Sequence, residues 1–146
     1  MHTLFYCSVA SRIMQDSDIL DILKVSRENN PYNLITGILV YSKKSREFFQ
    51  ILEGEKEAIF RLLENIENDE RNLSVDLVYD EEIKERSFNN WGMAFADLDS
   101  VENSKLDGFS GYLEKGFSSE LFQENIQSSN NIIKMFQHYL SDFNPT

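Results

Sequence analysis

Two side chains in this sequence pair a chemically active group with a place where the chain should be dry. Gln50 lies within Phe48-Phe49-Gln50-Ile51-Leu52. An amide buried in such a run must find partners for two N–H donors and a carbonyl oxygen, or cost ~1–3 kcal/mol. Tyr6 lies within Leu4-Phe5-Tyr6-Cys7-Ser8-Val9 and offers a phenol, which can give up an electron and a proton. Taken singly, each has a plainer role: Gln50 bonded to backbone or on a wet strand face, Tyr6 as a core aromatic with a satisfied hydroxyl. If the strands that carry them are neighbours, both can face one helix-covered cavity, with an oxidisable phenol against a group that donates and accepts hydrogen bonds.

Other chemistries find no support. The sequence contains no GxxxxGK[ST], GxGxxG or GxSxG motif, so neither a phosphate-cradling loop nor a nucleophile elbow is expected. His2 and His138 stand near opposite ends without a second His or Cys at ligand spacing, and no metal site is expected. Asp16, Asp18 and Asp21 lack the Gly and distal Glu of a calcium loop and read as the acidic start of a helix. The chain is therefore not expected to be an enzyme.

Charge and cysteine usage bound the setting. The 25 acidic residues against 14 basic ones give a formal net charge of -11, which opposes direct contact with nucleic acid or an anionic membrane. Cys7 is the single cysteine, so no intrachain disulfide can form. The opening residues lack the pattern of a signal peptide, and no apolar stretch approaches the ~20 residues that cross a bilayer. A cytoplasmic protein is expected.

The elements that must position Tyr6 and Gln50 follow from periodicity. Leu4 to Val9 reads as a strand with Tyr6 and Ser8 on one face and Phe5, Cys7 and Val9 on the other. Ile19, Ile22 and Leu23 follow helical spacing behind a cap at Asp16 or Ser17, and Pro31 ends that helix. Leu34 to Tyr41 and Phe48 to Glu53 form a predicted hairpin around Ser42 to Glu47. Past Gly54, the stripe Ile59, Leu62, Leu63 and Ile66 predicts a second helix. A strand from Leu73 to Tyr79 and a short one from Met93 to Phe95 complete the set. The order βαββαβ with an added strand predicts an α+β, ferredoxin-like sheet with both helices on one face and the first and third strands central. Composition shifts to Ser, Asn and Gly near residue 98, so a domain over residues 1–97 is expected, followed by a linker and helical extension over 98–146. Ser118 or Ser119 would cap a helix there, with Ile132, Phe136, Tyr139 and Leu140 on one side.

Six segments in order resemble the BLUF family, the sensors of blue light using FAD. They are Tyr6-Cys7-Ser8-Val9-Ala10, Ser26-Arg27-Glu28-Asn29-Asn30, Thr36-Gly37-Ile38-Leu39, Phe48 through Gly54, Asp69-Glu70-Arg71, and Phe88-Asn89-Asn90-Trp91-Gly92-Met93. The resemblance implies non-covalent FAD with its isoalloxazine ring between the two helices. It implies that Tyr6 is the photochemical electron and proton donor and that Gln50 links it to flavin N5 and O4. Asn30 would bond the polar edge of the ring with Asn29 as its neighbour, and Ile22, Phe48 and Ile66 would form apolar walls. Asp69 and Arg71 would meet the far side of the pyrimidine ring or the ribityl and phosphate region. In the lit state Gln50 would donate more strongly to O4 and shift absorption to the red, and Trp91 and Met93 would pass the change to the last strand. Two departures stand out: Asn72 where the family often has His, and a hairpin at Ser42 to Glu47 slightly longer than usual.

With no effector domain expected in the chain, the resemblance implies a photoreceptor that signals through a downstream protein partner and self-associates as a homo-oligomer. The competing expectations are a flavin-free ferredoxin-like regulatory module and a small flavin oxidoreductase or acylphosphatase-like enzyme.

Overall fold

The computed structural model describes residues 1–88, 93–97, 131, 132 and 135, with residues 94–97 described by their backbone. Its elements are β1 (His2–Ala10), α1 (Asp16–Asn29), β2 (Thr36–Ser42), β3 (Glu47–Gly54), α2 (Lys56–Glu67), β4 (Asn72–Glu82) and β5 (Ala94–Asp97). The sheet runs β4-β1-β3-β2-β5. β1 pairs antiparallel with β3 and β4, β3 pairs antiparallel with β2, and β5 adds parallel to β2. This is the expected ferredoxin-like α+β architecture, with β1 and β3 side by side in the centre.

Period-two geometry explains why the central strands are apolar almost throughout. Leu4, Phe5, Ile51 and Leu52 are all fully buried although neighbours in sequence point to opposite faces. One face of the sheet packs Leu4, Leu39, Tyr41 and Leu52 against Ile19 and Leu23 of α1 and Ile59 and Leu63 of α2. Each such side chain, fully buried, contributes about 1.5–3 kcal/mol. On the other face Phe5, Ile38, Val40, Phe49 and Ile51 are equally buried. Ile132, helical and buried, lies on that side, where its N–H donates to Glu81 Oε1 at 3.3 Å. The expected C-terminal extension otherwise falls on residues outside the described ones, Ser118, Ser119, Phe136, Tyr139 and Leu140 among them.

Several boundaries differ from the sequence expectation for local reasons. The α1 cap is Gln15, not Asp16 or Ser17. Asp18 reaches back from the first turn to accept the Gln15 N–H at 2.8 Å, which fixes the start one residue earlier. β2 begins at Thr36 and not Leu34, because the Asn30 carbonyl accepts from both Asn33 and Ile35 and holds 31–34 in a turn. Leu34 takes a left-handed φ of 55° there. β4 runs to Glu82, three residues past Tyr79, because it pairs along β1 as far as His2. β5 starts at Ala94, which leaves Met93 just before the strand.

β2 and β3 approach so closely at one point that only glycine fits. A Cβ on Gly37 would stand 2.0 Å from the carbonyl oxygen of Ile51, one residue after Gln50. Gly37→Ala is expected to destabilise the fold by about 3 kcal/mol, since backbone and not a flexible side chain must yield. Urea unfolding measures this, and a loss below about 1 kcal/mol would show that the strands separate easily.

Candidate functional site

Adjacency of β1 and β3 places the two singled-out side chains in register: Tyr6 pairs with Gln50 across the ladder. Both point to the helix side, and the Tyr6 hydroxyl donates a short hydrogen bond to Gln50 Oε1. The Gln50 Nε2 donates in turn to Met93 Sδ at 3.2 Å. All three residues are buried. Gln50 has two N–H donors, and the described residues give them one acceptor, a thioether, which is a weak one. The amide thus retains hydrogen-bonding capacity toward a further polar group.

Beside this chain of contacts lies a cavity of about 240 Å³. Tyr6, Leu39, Phe48 and Gln50 form its floor from the three inner strands, while α1 presents Ile22, Val25, Ser26 and Asn29 to it. Leu62, Asn65 and Ile66 face it from α2, and Asp69, Arg71 and Asn72 close the end beyond that helix. Apolar walls with amides and hydroxyls gathered at the edges suit a flat heteroaromatic ring with one polar rim. These residues therefore fit a flavin ring. Among the described residues no cluster of three or more His, Cys, Asp or Glu could hold a metal ion.

Of the ring-binding residues expected from the sequence, Tyr6, Ile22, Asn29, Phe48, Gln50, Ile66, Asp69 and Arg71 all line the cavity. Asn30 does not: it is the C-cap of α1, 3 % exposed, with its backbone committed to Ser26, Asn33 and Ile35. Trp91 lies outside the described residues. Sequence reasoning missed Val25, Ser26, Leu39, Leu62, Asn65 and Asn72. The signal was present, because residues 22, 25, 26 and 29 repeat at helical spacing, as do 62, 65, 66 and 69.

The end beyond α2 is held by charge. Arg71 grips both carboxylate oxygens of Asp69, with its Nε at 3.0 Å and 3.1 Å. That bond holds the Asp69 carboxyl below its ordinary range, and the same partner raises Arg71 further. Asn72 accepts from Ser8 at 2.9 Å and donates to the Ile66 carbonyl at 3.0 Å, tying β1 to the end of α2. The longer hairpin closes at the Ser42–Glu47 pair, with Arg46 at φ 59° in its loop, away from the cavity-lining residues.

A second buried polar centre holds Ser87 and Phe88. Glu53, on the opposite sheet face from Gln50, accepts from the Ser87 N–H at 2.8 Å, the Phe88 N–H at 2.7 Å and Thr36 Oγ1 at 2.8 Å. Arg86 donates to Thr36 Oγ1 at 2.8 Å and to the Leu34 carbonyl at 2.6 Å. Burial raises the Glu53 carboxyl above its ordinary value even though these donors and Arg86 pull it down.

Comparison with known proteins agrees with this geometry. Residues 1–94 match the family model described as BLUF, sensors of blue-light using FAD. The chain belongs to that family and is a blue-light photoreceptor module that binds a flavin. It is similar to the photoactivated adenylate cyclase subunit beta of Euglena longa, 36% identical over 119 residues, which are 80% of this chain and 14% of that protein. The chain thus spans about 14% of the length of the curated relatives it matches. Among solved structures it resembles the photo-activated state of BlsA, at TM-score 0.65 and 30% identity over 96% of this chain and 94% of that one. It also resembles Klebsiella pneumoniae BlrP1 solved with FMN and cyclic diGMP, at TM-score 0.74 and 25% identity over 97% of this chain and 34% of that one. No helix among the described residues is long and apolar enough to cross a membrane.

Burial pushes the Tyr6 phenol well above its ordinary value, with Asp69 and then Cys7 adding to the effect. The unfolded phenol ionises near the ordinary tyrosine value of about 10 and the folded one later. The stability tied to this proton is therefore fully present below that pH and is lost as pH rises above it. Urea unfolding at about pH 9 and about pH 11 should show a smaller alkaline loss for Tyr6→Phe than for the parent. Equal losses would mean that the phenol is not desolvated.

Proposed function

We propose that this chain binds FAD in the cavity between α1 and α2 and converts blue light into a rearranged hydrogen bond at Gln50, read by a partner protein. The observation that supports this most is the Tyr6 hydroxyl donating to Gln50 Oε1 on the cavity floor. When bound, the flavin supplies light absorption and, once excited, one-electron oxidising power. Tyr6 is the donor: its buried neutral phenol holds a proton against the Gln50 oxygen, where an electron and that proton can leave and return together. Gln50 is the part that ends up different. An amide reversed or tautomerised after the proton returns presents another pattern of donors to the ring edge and to Met93.

In this reading Ile22, Phe48 and Ile66, with Leu39 and Leu62, exclude water and hold the ring between the helices. Asn29, which lines the cavity, would bond the ring's polar edge, with Asn30 beside it. Asp69 and Arg71 bound the far end, where they would meet the far side of the pyrimidine ring or the ribityl and phosphate portion. Met93, which takes the Gln50 N–H, and Trp91, two positions before it in sequence, would pass the change to β5. A switch of one hydrogen bond biases a two-state element by about 1–3 kcal/mol, enough to alter a partner's affinity tenfold. With an acidic surface of net charge -11 and no catalytic turnover of its own, the module acts by protein contact, and we assign its self-association to a homo-oligomer.

The purified protein should be yellow, release FAD and not FMN on denaturation, and show a small red shift under blue light that reverses in darkness. Tyr6→Phe should keep the colour and lose the shift. A colourless protein from flavin-replete cells would overturn the cofactor assignment, and a normal photocycle in Tyr6→Phe would overturn that of the donor.

A further inference from the structure

Met93 receives two contacts from opposite directions, and the second comes from a residue outside the photochemical pair. Its sulphur accepts from Gln50 Nε2 at 3.2 Å. Its carbonyl oxygen accepts from Arg27, in the last turn of α1, at 3.2 Å from Nε and 3.0 Å from Nη2. Arg27 sits on the helix that forms one wall of the cavity, between the lining residues Ser26 and Asn29. Its side chain leaves that wall to reach a residue 66 positions away.

The ordinary role for an arginine at this place is complementing the negative end of the helix dipole, which any cation would do. The geometry here asks for more. Two N–H groups of one guanidinium on one carbonyl oxygen fix both the distance and the direction of the Met93 backbone, a fork that a lysine ammonium does not reproduce. Earlier in the sequence, Glu53 accepts from the Ser87 and Phe88 N–H groups. With its carbonyl oxygen held by Arg27, Met93 presents its sulphur to the Gln50 amide at 3.2 Å.

We propose that Arg27 is a positioning residue for the light switch: its fork on the Met93 carbonyl sets the thioether at the height where it accepts from Gln50. This rests on the flavin reading above. The contact discriminates between the two orientations of the amide. With Nε2 toward the sulphur a weak hydrogen bond forms, whereas a reversed amide would set two lone-pair-bearing atoms against each other. Arg27 therefore tunes the energy difference between the two amide states and so the rate at which the lit state decays.

The test uses the flavin-loaded protein and the variants Arg27→Lys, Arg27→Gln, Met93→Leu and the Arg27→Lys/Met93→Leu pair. Dark recovery after a blue flash is measured, together with the methyl resonances of ¹³C-methyl-methionine protein, in which Met93→Leu identifies the Met93 signal. Arg27→Lys and Arg27→Gln are each expected to change the recovery rate by at least about threefold and to move the Met93 methyl signal, since a charge-assisted fork is lost in both. In the Met93→Leu background, Arg27→Lys should add less than about 1.5-fold, because the acceptor it positions is gone. Recovery restored to the parent rate by Arg27→Lys would assign the residue to the helix dipole and overturn the proposal. Multiplicative effects in the double variant would overturn it as well. Should Arg27→Gln fail to fold, the lysine variant and the coupling measurement still decide. A parent protein that binds flavin and photocycles, with variants that behave identically, refutes the positioning role alone; a parent without flavin refutes the reading beneath it.

Discussion

A phenol held against a carboxamide across two adjacent antiparallel strands is the constraint that the rest of this structure serves. The contact exists because β1 and β3 are neighbours and because Tyr6 and Gln50 are partners in register. A slip of one residue would turn both side chains to the opposite sheet face. The fold guards that register at Gly37, where β2 lies too close to Ile51 for any side chain. It also buries most of both faces of β1 and β3, leaving only Cys7, Val9 and Glu47 half-buried near the hairpin end.

A phenol is neutral at physiological pH in any case, and burial pushes the ionisation of Tyr6 higher still. The Cys7 thiol, one residue on and facing away from the helices, is pushed up to about 12 by burial, with Glu47 and Asp76 adding. It stays neutral too, and no thiolate arises next to the donor. The charged groups at the cavity, Asp69 and Arg71, neutralise each other at its far end. The polar but uncharged groups Ser26, Asn29, Asn65 and Gln50 line the rest of the cavity.

Much of this was legible in the sequence, for identifiable reasons. Period two put Tyr6 and Gln50 on one face once the βαββαβ order placed their strands together, and helical spacing placed Ile22 and Ile66 opposite each other across the cavity. What stayed hidden depends on side chains meeting backbone far away. Arg27 reaches the Met93 carbonyl across 66 positions, and nothing in the local pattern of α1 announces it. Asn30 closes α1 as its C-cap, its carbonyl accepting from Asn33 and Ile35, a backbone role that the Asn-Asn pair alone does not announce. Glu53 was missed for a different reason. It is an acid in the same apolar strand as Gln50, and the argument applied to the amide, that something polar must meet it, holds equally for a carboxylate met by Ser87, Phe88 and Thr36.

The account turns on Gln50 as the group whose hydrogen bonding changes with light. Light-minus-dark infrared difference spectra of the flavin C4 carbonyl, taken for the parent and for Gln50→Leu, examine that most directly. The account predicts a lowered carbonyl frequency in the lit parent, from a stronger hydrogen bond, and no such shift in the variant. An equal shift without the amide would show that another group makes the bond and would contradict the central claim.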